Sequence, residues 1–326
     1  MDSFRIYKPE DIKPLLQTRV GETKLVECIG TYQQAHLSVD LLRSHPAKFV
    51  LLGIPEDIGV RGNAGIGGAH TVWPLALKAF LNLQQNAWLR GEELMLLGHF
   101  EVEPYVGASI NELRAAVAKL DEQVWPLLKL LAEAGKTPLI IGGGHNNAFP
   151  ILKGMSLGLG QKMAVVNFDA HSDLRSSAEG RHSGNGFSNA LEQGYLHRYF
   201  IYGLHQNYLS QAQYNSLQTQ IAVELRYFED ILDENWPPLC LPPAFTNGYG
   251  IEIDLDCLSH QLASAATPSG FSLNYLRQQL RKIAAQGQYL HICEGAAQLT
   301  DGRQDFLIGK TIAYLLSDFI KISVGR

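Results

Sequence analysis

A doubly wound α/β fold is what this sequence predicts, on two observations. Short apolar runs rich in Val, Ile and Leu recur along the chain, and the longer stretches between them carry apolar residues every three or four positions. Runs of the first kind suit parallel strands buried on both faces, and stretches of the second kind suit helices that cover them. Strands are expected, in chain order, at residues 49–54, 93–99, 138–142, 163–168, 198–203, 223–228, 248–254 and 288–293. The clearest helices are expected at 110–134, 272–285 and 305–320. No Gly/Ser/Pro linker, low-complexity tract or internal repeat interrupts the series, so residues 1–326 read as a single domain with 1–45 as an N-terminal extension packed on it.

Composition removes several classes of function. A net charge of −5, spread without acidic or basic runs, leaves no electrostatic footprint for nucleic acid or an anionic membrane. Cys28, Cys240, Cys257 and Cys293 lie far apart with no paired spacing, against a disulfide framework and against a zinc finger. The opening MDSFRIYKPEDIKPLL has charges where a signal peptide needs an apolar stretch, and no apolar run reaches about 18 residues. A cytoplasmic protein is expected.

In an open parallel sheet, ligands bind beyond the carboxyl ends of the strands, so polar residues that end apolar runs are the first candidates. In PLIIGGGHNN, three glycines turn the chain sharply after a strand and present His145; a Gly-rich turn followed by an incidental histidine is the competing reading. A phosphate loop is discounted, because the segment has neither a Lys-Ser/Thr ending nor a spaced GxGxxG. In AVVNFDAHSDLR, Asp169, His171 and Asp173 alternate with small residues just after a strand, and in extended chain such residues point to one side. Two carboxylates and an imidazole at a buried strand end repel one another unless a cation joins them. YGIEIDLDCLS repeats the spacing with Asp254 and Asp256, and puts Glu252 on the same face one step deeper.

Two imidazoles and four carboxylates form a hard, oxygen-rich donor set without thiolate, which suits Mn²⁺, although affinity order alone leaves Zn²⁺, Co²⁺ and Ni²⁺ open. The number of donors fits two ions about 3.5–4 Å apart, and two cations around one water bring its pKa toward neutrality. The chemistry expected is hydrolysis.

The GGGH turn, the DAHSD run and the later IDLD, in this order, resemble the ureohydrolases: arginases, agmatinases and formimidoylglutamases. The resemblance implies a three-layer α/β/α sandwich around an eight-stranded, mostly parallel sheet and a binuclear manganese centre that cleaves a C–N bond of a guanidino or formimidoyl group. It carries His145, Asp169, His171, Asp173, Asp254 and Asp256 over as ligands of two Mn²⁺ ions, with Asp173 also catalytic. It places Glu294, in LHICEGAA, opposite the cationic amidine, where a carboxylate can accept a bidentate pair of hydrogen bonds; a salt-bridged surface residue is the competing reading. GIPEDIGVRGNAGIGGA, with Arg61 and Asn63, is nearer to the formimidoylglutamase form of the first loop. That substrate carries two carboxylates, so Arg61, Arg175 and Arg181 are candidate forks for them, with Asn63, His182 and Asn185 as further contacts; each arginine taken singly is more often a surface residue. Departures from the pattern are Glu252 where a serine usually precedes the Asp-x-Asp pair, His182 offset from the arginase loop histidine, and LSHQLASAATPSG where a Pro-rich stretch is usual. His205 in GLHQNY either approaches the site or is a structural histidine.

The favoured function is hydrolysis of N-formimidoyl-L-glutamate to glutamate and formamide, a step of histidine degradation. An agmatinase, arginase or other guanidino-acid hydrolase would release urea instead. A catalytically inactive metal-binding protein on the same scaffold is the alternative of another class, and a zinc deacetylase of similar architecture is a more distant one. The expected partners are a small-molecule amidine or guanidine and, at most, further copies of the chain in a homo-oligomer.

Overall fold

The structure, a computed structural model, describes residues 3–17, 19–34, 36–246 and 248–325. Its strands are β1 (Phe4–Ile6), β2 (Gly30–Thr31), β3 (Phe49–Gly53), β4 (Leu94–Phe100), β5 (Thr137–Ile141), β6 (Met163–Phe168), β7 (Leu196–Leu204), β8 (Val223–Tyr227), β9 (Tyr249–Asp254) and β10 (Gly287–Cys293). They form one ten-stranded sheet in the order β1-β4-β3-β5-β10-β9-β6-β7-β8, with β2 paired to β4. The β1–β4 ladder is antiparallel, and the other ladders among the described residues are parallel.

All eight expected strands are present, as β3 to β10. The expectation of eight needs correcting to ten, because the N-terminal extension adds β1 and β2 to the edge of the sheet. Three-residue and two-residue strands are too short to show a period. The long helix runs Ile110–Glu133, opened by a Ser109 and Glu112 capping box. The other two expected helices run Leu273–Ile283 and Ile308–Ser323. The last begins later than expected because Asp305 is used in the loop before it, accepting from the Leu307 N–H at 2.8 Å and from Gln261.

Alternate residues of β3 enter opposite faces, Phe49 and Leu51 one apolar core, Val50 and Leu52 the other. Helices Val72–Leu81, Leu273–Ile283 and Ile308–Ser323 cover the first core. Helices Ile110–Glu133 and Ala148–Leu159 cover the second. A strand buried on both faces has no polar alternation, which is why these runs read as continuous apolar segments. No helix among the described residues is long and apolar enough to cross a membrane.

Candidate active site and metal centre

Four neighbouring strands, β5, β10, β9 and β6, end side by side in the middle of the sheet, and their carboxyl ends lead into every ligand candidate. After β5, Gly142 and Gly143 take φ of +90° and +79°. A Cβ on Gly143 would fall 2.3 Å from the Asn147 amide and 2.7 Å from Glu56, so the turn closes only with glycine there. The fully buried Glu56 carboxylate clamps the turn, accepting from Gly144 N–H and Asn147 Nδ2, both at 2.7 Å, and from Gly59 N–H at 3.1 Å. His145 follows, completely buried.

β6 ends at Phe168, so Asp169, His171 and Asp173 lie in the loop beyond it. The expectation that strand pleating aligns them is corrected. Asp169 Oδ1 accepts the His171 N–H at 2.6 Å, and Asp173 sits at φ +50°, so a side-chain-closed turn brings the three together. Asp254 is the last residue of β9 and repeats the device, its Oδ1 accepting the Asp256 N–H at 2.9 Å. Asn167 donates to Asp169 Oδ2 at 2.9 Å.

His145 Nδ1 stands 3.2 Å from Asp169 Oδ2, 2.9 Å from Asp173 Oδ2 and 3.3 Å from Asp254 Oδ2. His171 Nδ1 stands 3.1 Å from Asp256 Oδ2 and 3.7 Å from Asp169 Oδ1. The donors thus sort into two groups that could each hold an ion, one of His145, Asp169, Asp173 and Asp254, the other of Asp169, His171 and Asp256. Asp169 belongs to both, one oxygen to each.

The electrostatics call for cations at this place. Burial pushes Asp169 up to about 6, with Asp173 adding to the rise, and holds Asp254 well above the carboxylate range, with Asp256 adding to it. Burial should lower His171, yet Asp256, Asp169 and Asp173 outweigh it and carry the imidazole to about 11. Asp169 and Asp254 are thus pushed toward their neutral forms, while His171 outweighs burial and holds Asp256 below its ordinary value, so the cluster ionises fully only beside added positive charge. His145 Nδ1 and Asp256 Oδ1 are buried without a hydrogen-bond partner, which ligand atoms are free to be. The residues fit two divalent ions.

A cleft of about 350 Å³ opens over this centre, lined among others by Asn63, His171, Asp173, Arg175, Tyr208 and Glu294. Glu294 follows β10 at φ +61°, a region that ordinary residues leave unless the surroundings compel them. Its Oε1 accepts the His145 N–H at 2.8 Å. Burial carries its carboxyl to about 8, Asp173 and Asp256 raising it further against that hydrogen bond, so a cation bound beside it would be welcome. Arg175 lies at the rim, nearly half exposed, its Nη2 3.0 Å from Glu179.

Four of the candidate substrate contacts are turned to other partners. Arg61 pairs with Asp57 at 3.1 Å and donates to the carbonyls of Pro104 and Tyr105, on a second cavity. Arg181 is buried against Asp121 at 2.8 Å and donates to Asn185 Oδ1 at 2.6 Å. Asn185 in turn donates to the carbonyls of Ser176 and Gly180. His182 is fully buried, its Nδ1 accepting the Gly184 N–H, and burial together with Arg114 lowers it to about 4, so it stays neutral. Arg181, His182 and Asn185 shape the 176–186 loop, and Arg61 fastens the 104–105 segment. The list of cleft contacts narrows to Asn63 and Arg175 beside Glu294.

The cleft also holds residues not singled out from the sequence. Tyr208 stacks on His171 with ring centroids 4.8 Å apart, and also on His205 at 5.2 Å. His205 stacks in turn on Phe228 at 4.4 Å, which makes it part of a ring pile that backs a ligand. The GLHQNY segment drew notice for its histidine, while the signal for Tyr208 was only its place three residues further on.

Residues 47–301 match the arginase family model, and the chain belongs to the arginase family; with this sheet and this acidic cleft it is an arginase-family hydrolase. More particularly, it is 27% identical over 254 residues to a formimidoylglutamase of Streptococcus pyogenes, 74% of each chain being covered. Its fold matches that of Bacillus subtilis formimidoylglutamase with a TM-score of 0.74 at 19% identity, over 97% of this chain and 99% of the other. Trypanosoma cruzi formiminoglutamase, solved with Mn²⁺, matches with a TM-score of 0.71 at 17% identity, over 94% and 99%.

Proposed function

We propose that the chain hydrolyses N-formimidoyl-L-glutamate to glutamate and formamide, with two Mn²⁺ ions held by His145, Asp169, Asp173 and Asp254 and by Asp169, His171 and Asp256. The observation that carries the reading is the polarity of the cleft, acidic at its floor around Glu294 and Asp173, with the guanidinium of Arg175 at its rim. A substrate with a cationic amidine at one end and two carboxylates at the other matches that gradient. When bound, the two ions supply a water acidic enough to ionise near neutral pH. Glu294 holds the planar amidine by a bidentate pair of hydrogen bonds and aims its carbon at the reacting oxygen. Asp173, which lines the cleft, would take the water's proton and return it to the glutamate nitrogen as the C–N bond breaks. Arg175, with Asn63 beside it, engages the carboxylates.

The test is product analysis with Mn²⁺ present over formimidoylglutamate, agmatine, arginine and guanidinobutyrate. Formamide from formimidoylglutamate is expected. Urea from a guanidino compound would replace this reading with the guanidino-acid one, and two bound ions without any product would leave an inactive scaffold.

Two variants follow. Glu294→Gln keeps both ions and lowers kcat/KM by about 10- to 100-fold, the worth of one charged hydrogen-bond pair; a variant that loses metal instead would make Glu294 a ligand. Arg175→Ala raises KM for formimidoylglutamate about tenfold with kcat little changed, a modest effect because this guanidinium is half in water. Steady-state kinetics on a substrate without carboxylates should show no change in KM.

A further inference from the structure

Glu252 sits in the middle of β9 with no solvent exposure, directly opposite His291 of β10. Its Oε1 accepts from the Tyr289 hydroxyl at 2.7 Å and its Oε2 from His291 Nδ1 at 2.5 Å. The other nitrogen of His291 faces the Gly142 carbonyl at 3.4 Å, in the turn that presents His145. Oε2 of Glu252 also faces His145 Nε2 at 3.6 Å, while Nδ1 of the same ring is the atom surrounded by Asp169, Asp173 and Asp254. A buried carboxylate thus stands behind the imidazole, on the side away from the ion site.

That placement has a chemical consequence. A neutral imidazole carries its proton on one nitrogen only, and a ligand nitrogen must be the bare one. A negative charge behind Nε2 favours the proton there and leaves the Nδ1 lone pair toward the ion, the way outer carboxylates orient ligand histidines in metalloproteins. The Cys293 thiol also lies near the His145 ring, but it is held in its neutral form by burial and donates to the Ile253 carbonyl at 3.6 Å, so the charged group facing Nε2 is Glu252. A serine at position 252, the usual residue of the resembling family, has a side chain too short to span from β9 to both His291 and His145.

We propose that Glu252, held by Tyr289 and His291, is a positioning residue for His145: it keeps the proton on Nε2, turns Nδ1 toward Asp169, Asp173 and Asp254, and so sets the affinity of the first ion alone. The proposal rests on the two-ion reading above. The second group shares only Asp169 with the first, and its own His171 and Asp256 have no contact with Glu252, so its step is expected to stay.

The experiment is titration of the metal-free full chain with Mn²⁺ and with Co²⁺, resolving two binding steps, for wild type, Glu252→Gln, Tyr289→Phe and Asp173→Ala. Glu252→Gln is expected to weaken one step by about 10- to 100-fold, the usual effect of losing an outer-shell partner, and to shift the Co²⁺ visible bands of that step. Tyr289→Phe removes one hydroxyl and keeps the ring, so it folds; it is expected to weaken the same step by a smaller factor. A merely structural role would lower Tm and leave both dissociation constants unmoved. Two unchanged constants in both variants, or an equal loss in both steps, overturns the proposal. Asp173→Ala separates the two readings: it must lose one ion, and if it binds both as wild type does, the two-ion reading itself is sunk.

Discussion

Asp169→Ala is expected to empty the second ion site, weaken the first and remove nearly all turnover, whereas Asp256→Ala empties the second site alone. Asp169 is the one side chain common to both donor groups, with Oδ2 toward His145 and Oδ1 toward His171. Without it the second group keeps only His171 and Asp256, too few for a stable site, and the first keeps His145, Asp173 and Asp254. A pair of ions contributes several kcal/mol of transition-state stabilisation, so kcat should fall by at least about 10³-fold. The fold should respond far less. Removing one acid from a crowded, buried cluster relieves repulsion, which offsets the lost bonds to His171 N–H and Asn167, so the metal-free variant should melt close to metal-free wild type. Wild type gains stability from Mn²⁺ by mass action, and the variant should gain little. Metal content after gel filtration and melting curves with and without Mn²⁺ check this; two retained ions, or kcat within tenfold of wild type, would refute the assignment of Asp169 as the bridging ligand.

Much of this molecule was legible in the sequence because burial on both faces writes itself as apolar runs. β3 to β7, β9 and β10 announced themselves in that way, whereas β8, VELRY at the sheet edge, is only half buried; ligand candidates could be sought at the strand ends, since a parallel sheet collects ligands there. What pattern does not reveal is the local device. Spacing of two suggested a pleated strand for Asp169, His171 and Asp173, and the actual cause is an aspartate that caps the turn it begins. The arginines were least readable, because a guanidinium serves equally well for a substrate carboxylate, a buried aspartate or a backbone carbonyl. Arg61 closes on Pro104 and Tyr105, and Arg181 on Asp121, and nothing in either neighbourhood of sequence tells these from Arg175. Glu252 was seen as a departure from pattern, but its partners Tyr289 and His291 come from the next strand, and register is a property of the sheet.

Arg181→Met is expected to destabilise the chain by about 3–5 kcal/mol, through the charge it leaves behind. The guanidinium donates from Nε to Asp121 at 2.8 Å, from Nη1 to Asn185 at 2.6 Å and from Nη2 to the Asn146 carbonyl at 2.8 Å, and it lies over the Phe149 ring. It thereby joins the helix Ile110–Glu133, the turn carrying His145 and the loop carrying Asn185. Methionine replaces the packing against Phe149 but none of the donors, and Asp121, 2% exposed, keeps a buried carboxylate without a partner. Burial already holds the Asp121 carboxyl above its ordinary range in spite of Arg181, and without Arg181 it must rise further. A carboxyl whose pKa is raised in the folded state binds more protons folded than unfolded, so its penalty is absent below the unfolded pKa and grows as pH rises. The deficit of Arg181→Met against wild type should therefore be larger at pH 8 than at pH 5. Adding Asp121→Leu removes the orphaned charge and should recover most of the loss, since replacing both partners of a buried pair by apolar groups is often nearly neutral. Urea unfolding at the two pH values measures both effects; a double variant no more stable than Arg181→Met would show that the two contacts to the Asn185 amide and the Asn146 carbonyl, and not the buried charge, carry the cost.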